Sequence, residues 1–374
     1  MRVAIVGAGP AGLYLAYRIK RARPEVELEV FEQNPAGATF GFGVVFSERA
    51  LQFLAEDDAE SLAALAPHLE AWNDSIIVHR GRRIRIDGMG YTGIGRLRLL
   101  DVLRERAAAV GVAPRYEHAI DDPRSLSGAG LIVGADGVNS RVRRDLEAQF
   151  GTRITHFSNR FAWFGTRKHF GALTHTFVQH PLGCFNAHHH PHAGELSTFV
   201  VEVDAATFER AGFERMDLER ARAVCEQVFA DTLEGHELVS NKSIWRQFPR
   251  VSNERWSAGN RVLLGDAAHT AHFSIGSGTR LALEDAIALS RALEHEPDDL
   301  PAALAAYETA RKPIVAKLVA AADASAAWYE RFGEHMTLAP MDFAMSYITR
   351  SGRVDRERLR RLAPAFVAEY EAEH

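Results

Sequence analysis

Cysteine is nearly absent: 374 residues carry only Cys184 and Cys225. Two positions so far apart support neither a disulfide framework nor a zinc cluster, and a reducing compartment fits. An excess of basic charge is missing too. Lys and Arg number 44 against 49 Asp and Glu, a formal net charge of −5, which argues against non-specific nucleic-acid binding. No apolar run approaches the length of a membrane span. The apolar stretch at the N-terminus is too short for a signal segment and runs straight into a glycine turn. The expectation is a cytoplasmic protein with no membrane and no nucleic-acid partner. Internal repeats and low-complexity linkers are lacking as well. What remains is ordinary globular composition, 47% hydrophobic and 25% charged, in a chain long enough for two intertwined domains.

What is present begins at residue 3. Val3 to Val6 are a buried-strand run, and Gly7, Gly9 and Gly12 follow in the spacing G-x-G-x-x-G within GAGPAG. A helical pattern starts at once with Leu13, Ala16, Tyr17 and Ile19. This strand–turn–helix context is what a dinucleotide fingerprint requires. Gly7 permits the tight turn, Gly9 lets backbone approach a pyrophosphate, and Gly12 lets the helix sit close to the strand. Pro10 and Ala11 open the helix, whose N-terminus offers free N–H groups to phosphates. A second strand near 28–31 ends at Glu32-Gln33, where the acid can accept both hydroxyls of an adenosine ribose and repel a 2′-phosphate.

Further along, GATFGFGVVFS at 37–47 reads as a glycine-rich loop. Gly41 and Gly43 let backbone approach a flat ligand. Phe40, Phe42, Val44, Val45 and Phe46 make the loop too apolar to be solvated, so it is expected to face a cofactor. Residues 48–70 read as helical. Residues 75–86 read as a hairpin of a second sheet, and GYTGIG then breaks the pattern. Arg96 opens a helix with Leu99 and Leu103, as a solvated charge or as one that reaches the cofactor.

Leu131 to Val133 are a buried strand, followed by Gly134-Ala135-Asp136-Gly137, an Asp position suited to a turn or helix cap. Residues 154–204 hold several strands, and helical text runs from about 218 to 233. Trp163, Phe164, Phe170, Phe177 and Phe185 suit either an aromatic pocket or a core. His188, His189, His190 and His192 cluster, and along a strand His188 and His190 share a face. No metal is expected there, and a single histidine facing a substrate is the better reading. A late strand, Val262 to Leu264, ends at Gly265-Asp266, and Gly276-Ser277-Gly278-Thr279 starts a long amphipathic helix. The tail after Pro301 is helical, with arginines at 350, 353, 356, 358, 360 and 361 reading as a solvated face.

GAGPAG, GADGVNSRVRR and GDAAH, in that order, resemble the flavin-dependent aromatic hydroxylases of the p-hydroxybenzoate hydroxylase type, over roughly the first 300 residues. Arg96, Leu99 and Leu103 fall on the R-x-x-L-x-x-x-L helix of that family. The resemblance implies an α/β fold: a discontinuous Rossmann-like FAD-binding domain (1–74, 95–153, 255–300) with an inserted α+β substrate domain (75–94, 154–254). A C-terminal helical region, 301–374, follows. It implies that Asp266 holds ribityl or ribose hydroxyls of the flavin and that Asp136 serves a motif coupling FAD to nicotinamide binding. The helix start Gly276–Thr279 would face the pyrimidine end of the flavin.

GFGVVFS, FSIGSG and STFVVEV look like the salicylyl-CoA 5-hydroxylase and aminobenzoyl-CoA monooxygenase branch, with Phe273 where relatives have proline and Thr279 where asparagine is common. The implied cofactors are FAD, with NADH or NADPH as cosubstrate. The implied reaction is hydroxylation of an activated aromatic ring by O2 through a flavin hydroperoxide, on a CoA thioester such as salicylyl-CoA. His188 is the candidate for the substrate proton. The protein is expected as a monomer or homodimer. A free aromatic acid or an indole is the alternative substrate. A non-oxygenating flavin reductase and a non-enzymatic FAD- or lipid-binding module are the alternative functions.

Overall fold

A computed structural model describes residues 1–39, 41–47, 51–194 and 196–374. The expectations for Phe40 and for residues 48–50 lie outside the described residues.

The apolar run at the N-terminus forms strand Arg2–Val6, the fourth in a five-stranded sheet. Its neighbours Glu27–Phe31 and Leu131–Gly134 run parallel to it, with Ile5 level with Val30 and Val133. Arg261–Leu263 adds in parallel beyond, and Ser257–Ala258 closes that edge antiparallel. A parallel sheet buried on both faces wants continuous apolar strands, and Val3, Ile5, Leu131 and Val133 are fully buried. Helix Pro10–Ala22 packs on this sheet through Leu13, Ala16, Tyr17 and Ile19. It lies against helix Gly278–His295, which in turn lies against the long helix Leu300–Tyr329.

A second, seven-stranded sheet has the order Leu238–Ser240, Arg160–Thr166, Leu196–Val203, Gly183–Ala193, Leu173–His180, Ser75–His79, Arg82–Ile86. All its pairs are antiparallel except Leu173–His180 with Ser75–His79. Phe164, Phe185 and Phe199 point to one face and pack on helices Ala205–Ala211 and Leu218–Val228 with Cys225 and Phe229. At the other end Ile77, Ile84, Ile86 and Phe177 are covered by the C-terminal residues Phe343, Tyr347, Leu359 and Phe366.

Four expectations are corrected here. Residues 43–47 are not loop but strand Gly43–Ser47, and the expected break at 90–95 is strand Tyr91–Gly95, its antiparallel partner. Glycines 43 and 93 hid both strands, because neighbouring side chains or backbone take the space of a side chain; a Cβ on Gly93 would meet the Pro191 carbonyl oxygen at 2.5 Å. The helical stretch ends before Glu70, which starts the third strand of that small sheet, Glu70–Trp72. Finally, strand Gly183–Ala193 runs far enough for His192 to join His188 and His190 on one face, beside a bulge at Pro191/Ala193.

Candidate functional site

A cleft of about 530 Å³ lies between the two larger sheets. At one end the chain leaves strand Arg2–Val6 through Gly7, whose φ is +104°. A Cβ there would sit 2.3 Å from the Ala135 carbonyl oxygen, so only glycine passes under the central motif. Gly12 does not line the cleft; it packs behind the turn, within 2.0 Å of the Gly7 carbonyl oxygen if it bore a Cβ. Gly9 has open space where its Cβ would be, and with Gly7, Pro10 and Ala11 it forms the cleft wall at the helix N-terminus. Glu32 and Gln33 border the same end. Glu32 Oε1 accepts the N–H and Nδ2–H of Asn34 at 2.9 and 2.7 Å, and Oε2 accepts the Ala8 N–H at 2.9 Å. Oε2 is therefore the oxygen with a lone pair left for an incoming hydroxyl.

Asp136 caps helix Arg141–Asp145 through Oδ2, which accepts the Arg141 N–H at 2.6 Å. Its Oδ1 is buried without a partner, and burial pushes the carboxyl pKa up. Arg143 is buried and donates to the carbonyls of Val138 and Ala267 at 2.5 and 2.9 Å, so it straps the central motif to the late one. Asp266 projects into the cleft from the 3-10 turn Gly265–Ala267, facing Arg96 at the start of helix Arg96–Ala109. Burial raises the Asp266 pKa and lowers that of Arg96, and each opposes the other's shift by its charge. The Gly265 N–H is held by Asp285 Oδ2 at 3.1 Å. Asp285 is fully buried; burial would raise its pKa, but His269 at 2.8 Å and Arg311 at 2.8 Å hold it below its ordinary value. Gly276, Gly278 and Thr279 bring the N-terminus of an 18-residue helix to the cleft, where its dipole favours negative charge.

The opposite wall combines the second sheet, through Trp163, His188 and His190, with Phe248 before strand Pro249–Asn253 and Phe273 in the 3-10 turn Phe273–Ile275. Trp163, His188, His190, Phe248 and Phe273 line it, and Gly43 approaches beside them. Gly41 does not reach the cleft; its backbone packs on the Trp163 ring, and its carbonyl takes an Asn241 side-chain N–H at 3.0 Å. Of the five aromatics expected, only Trp163 lines the cleft. Phe164, Phe170, Phe177 and Phe185 are core, because the strand alternation points them away or under the C-terminal helices.

His188 has its pKa lowered to about 4 by burial and by Arg350. Burial takes His190 to about 3 and His192 to about 4. These are neutral imidazoles at neutral pH. Among the described residues no group of three or more His, Cys, Asp or Glu is placed to hold a metal ion.

Arg350 corrects the reading of the tail. It is half-buried and engaged; its guanidinium lies 3.7 Å from the Tyr347 ring centroid and donates to the Ser274 carbonyl and the Ser325 hydroxyl, both at 2.9 Å. It thereby clamps the turn that carries Phe273 to the cleft. Sequence reasoning missed Arg350, Asp285, Arg311 and Phe248. No local pattern marks Arg350 or Phe248, whereas Asp285 is an acid on the otherwise apolar face of its helix, which is a readable signal.

The residues fit FAD. The cleft joins a helix N-terminus with room at Gly9, a ribose-accepting carboxylate, an unmet oxygen on Asp136, and a carboxylate facing an arginine midway. The chain matches the family described as FAD binding domain over residues 84–322, and an NAD(P)-binding Rossmann-like domain over 5–44. It is 42% identical over 361 residues to the salicyloyl-CoA 5-hydroxylase of a Streptomyces species, covering 94% of this chain and 70% of that protein. It is 38% identical over 356 residues to a 3-hydroxy-4-methyl-anthranilyl-(aryl-carrier protein) 5-monooxygenase of Streptosporangium sibiricum, covering 95% of each. A crystal structure of a mutant 2-methyl-3-hydroxypyridine-5-carboxylic acid oxygenase superposes with a TM-score of 0.72 at 20% identity, covering 97% of this chain and 96% of that one.

Proposed function

The chain belongs to the FAD-dependent aromatic monooxygenases built on this FAD binding domain, and we propose that its substrate is a hydroxy- or aminobenzoyl group carried as a thioester, with salicyloyl-CoA as the leading case. One observation carries the reading: the nucleotide cradle and a wall of aromatic and neutral histidine side chains face each other across one cleft. Bound FAD, reduced by NADH or NADPH, supplies the oxygen-activating redox chemistry. The chain supplies the rest.

Glu32 Oε2 accepts a ribose hydroxyl, and the helix N-terminus at Gly9–Ala11 takes the pyrophosphate. Asp266 accepts hydroxyls of the flavin side chain, and Arg96 stands opposite it. The N-terminus at Gly276–Thr279 stabilises negative charge on the flavin's pyrimidine end. Trp163, Phe248 and Phe273 exclude water from the ring to be hydroxylated. His188, uncharged, shares a hydrogen bond with the substrate's ring hydroxyl and so helps to hold the ring in place.

The test measures NADH and NADPH oxidation with salicylate, salicyloyl-CoA and an indole, with products analysed by mass. Salicyloyl-CoA is expected to stimulate oxidation and gain one oxygen atom. Equal stimulation and hydroxylation of free salicylate would move the substrate to the free acid, and hydroxylation of the indole alone would overturn the benzoyl assignment.

A further inference from the structure

His190 differs from the other histidines on its face, because the backbone decides its tautomer. Its Nδ1 lies 3.0 Å from the carbonyl oxygen of Pro191. A carbonyl only accepts, so the ring proton sits on Nδ1. In the neutral ring Nε2 then carries a lone pair and no hydrogen. Burial keeps the ring neutral.

Its orientation is held as well. The ring stacks on Trp72 with centroids 5.9 Å apart and planes 28° from parallel. No described residue donates to Nε2, and Nε2 is not among the buried atoms that lack a partner. The residue is only 2% exposed, yet it lines the cleft. Nε2 is thus the one ring nitrogen of His190 left to meet a ligand. His188, two residues earlier on the same face, makes no hydrogen bond that would choose its tautomer among the described residues. His192, two residues later, is joined through Nδ1 to Thr198 Oγ1 at 3.1 Å and does not line the cleft.

We infer that His190 Nε2 is a specificity-determining acceptor, which selects rings bearing a hydroxyl or amino hydrogen against rings without one. The inference rests on the proposed benzoyl-thioester reading. An acceptor of fixed direction that opens only onto the cleft rewards a donor placed at its lone pair, and once the ligand has displaced water it is left unmet by an analogue that lacks that donor. Trp72 and Pro191 fix the direction, so the discrimination is geometric as well as chemical. An acceptor without a hydrogen also rejects a ring that presents only a carbonyl or an ionised oxygen at that point.

The experiment titrates the FAD-loaded protein with salicyloyl-CoA and with benzoyl-CoA, which differ by the ring hydroxyl, and follows binding calorimetrically. Wild type is expected to prefer salicyloyl-CoA by about tenfold or more, the scale of one buried hydrogen bond. His190→Phe is expected to bring the two affinities within about twofold while FAD content stays full, and His190→Gln, which restores an acceptor, to recover part of the preference. His190→Ala replaces the Phe variant if the larger ring unfolds the wall.

An unchanged preference in His190→Phe or His190→Ala overturns the inference, as does equal binding of both thioesters by wild type that still hydroxylates salicyloyl-CoA. If wild type binds neither thioester, the thioester reading fails instead. The same comparison is then made with salicylate and benzoate, where a preference lost in His190→Ala upholds the role and a preference kept overturns it.

Discussion

Burial sets the protonation of this cleft, and the signs can be worked out group by group. A histidine in an unfolded chain has a pKa near 6.5. In the folded protein burial, with Arg350 for His188 and with His188 and Arg350 for His272, lowers His188 and His192 to about 4 and His190 and His272 to about 3. A depressed pKa contributes stability above 6.5 that is lost as pH falls toward the folded values. Urea unfolding between pH 7 and pH 4 is therefore expected to show a steep loss of stability, up to about 1.4 kcal/mol per pH unit for each such histidine; a flat profile would refute the neutral cluster.

Glu202 acts with the opposite sign. Burial raises its carboxyl to about 8, with one oxygen held by Asn159 at 2.9 Å and the other unpartnered. Its stability is present below the ordinary carboxylate range and lost as pH rises through 8. Glu202→Gln is expected to gain stability relative to wild type between pH 5 and pH 9, measured by the same titration. His188→Ala is expected to keep FAD and slow hydroxylation; unchanged turnover would remove its role at the ring hydroxyl.

At the scale of elements, the turn at Gly7 and the clamp at Arg350 are the two places where one residue orders several segments. Gly7→Ala places a side chain into the Ala135 carbonyl at a φ of +104°. It is expected to cost about 1–3 kcal/mol in strain and to release FAD, read by flavin fluorescence. Arg350→Met frees the turn before Gly276 and is expected to leave FAD bound at its nucleotide end. The fraction of NAD(P)H oxidation that yields product should fall and peroxide should rise; full coupling in the variant would refute the clamp.

The contrast between these two sites explains what could be read. The fingerprint is local: strand, turn and helix are neighbours in sequence, and each glycine answers to a segment a few residues away. Arg350 answers to Ser274 and Ser325, far off in the chain, so its composition resembles that of the exposed arginines around it. Strands Gly43–Ser47 and Tyr91–Gly95 were illegible for the same reason, since their glycines make room for His192, Pro191 and Trp72 from other parts of the chain.

On the scale of the whole molecule, the C-terminal helices are part of the site's support. Helices Pro340–Thr349 and Pro364–Ala372 cover Ile77, Ile84, Ile86 and Phe177 of the second sheet, and the first of them is followed at once by Arg350. Removing residues 340–374 is expected to yield aggregated protein, because a wide apolar face of the sheet would be exposed; a soluble, FAD-loaded truncation would show that the cover is dispensable.

The sequence by itself determined the nucleotide half of the site. GAGPAG, Asp136 and Asp266 act through backbone geometry at strand ends, which short-range pattern encodes and which the family match bears out at the level of fold and cofactor. Only the tertiary structure decided the substrate half. Which of four clustered histidines face the cleft, which aromatic side chains turn into the core, and where Arg350 points all depend on how two sheets and a C-terminal cover pack together. Side-chain direction at such contacts is set by neighbours remote in the chain, and no local spacing records it.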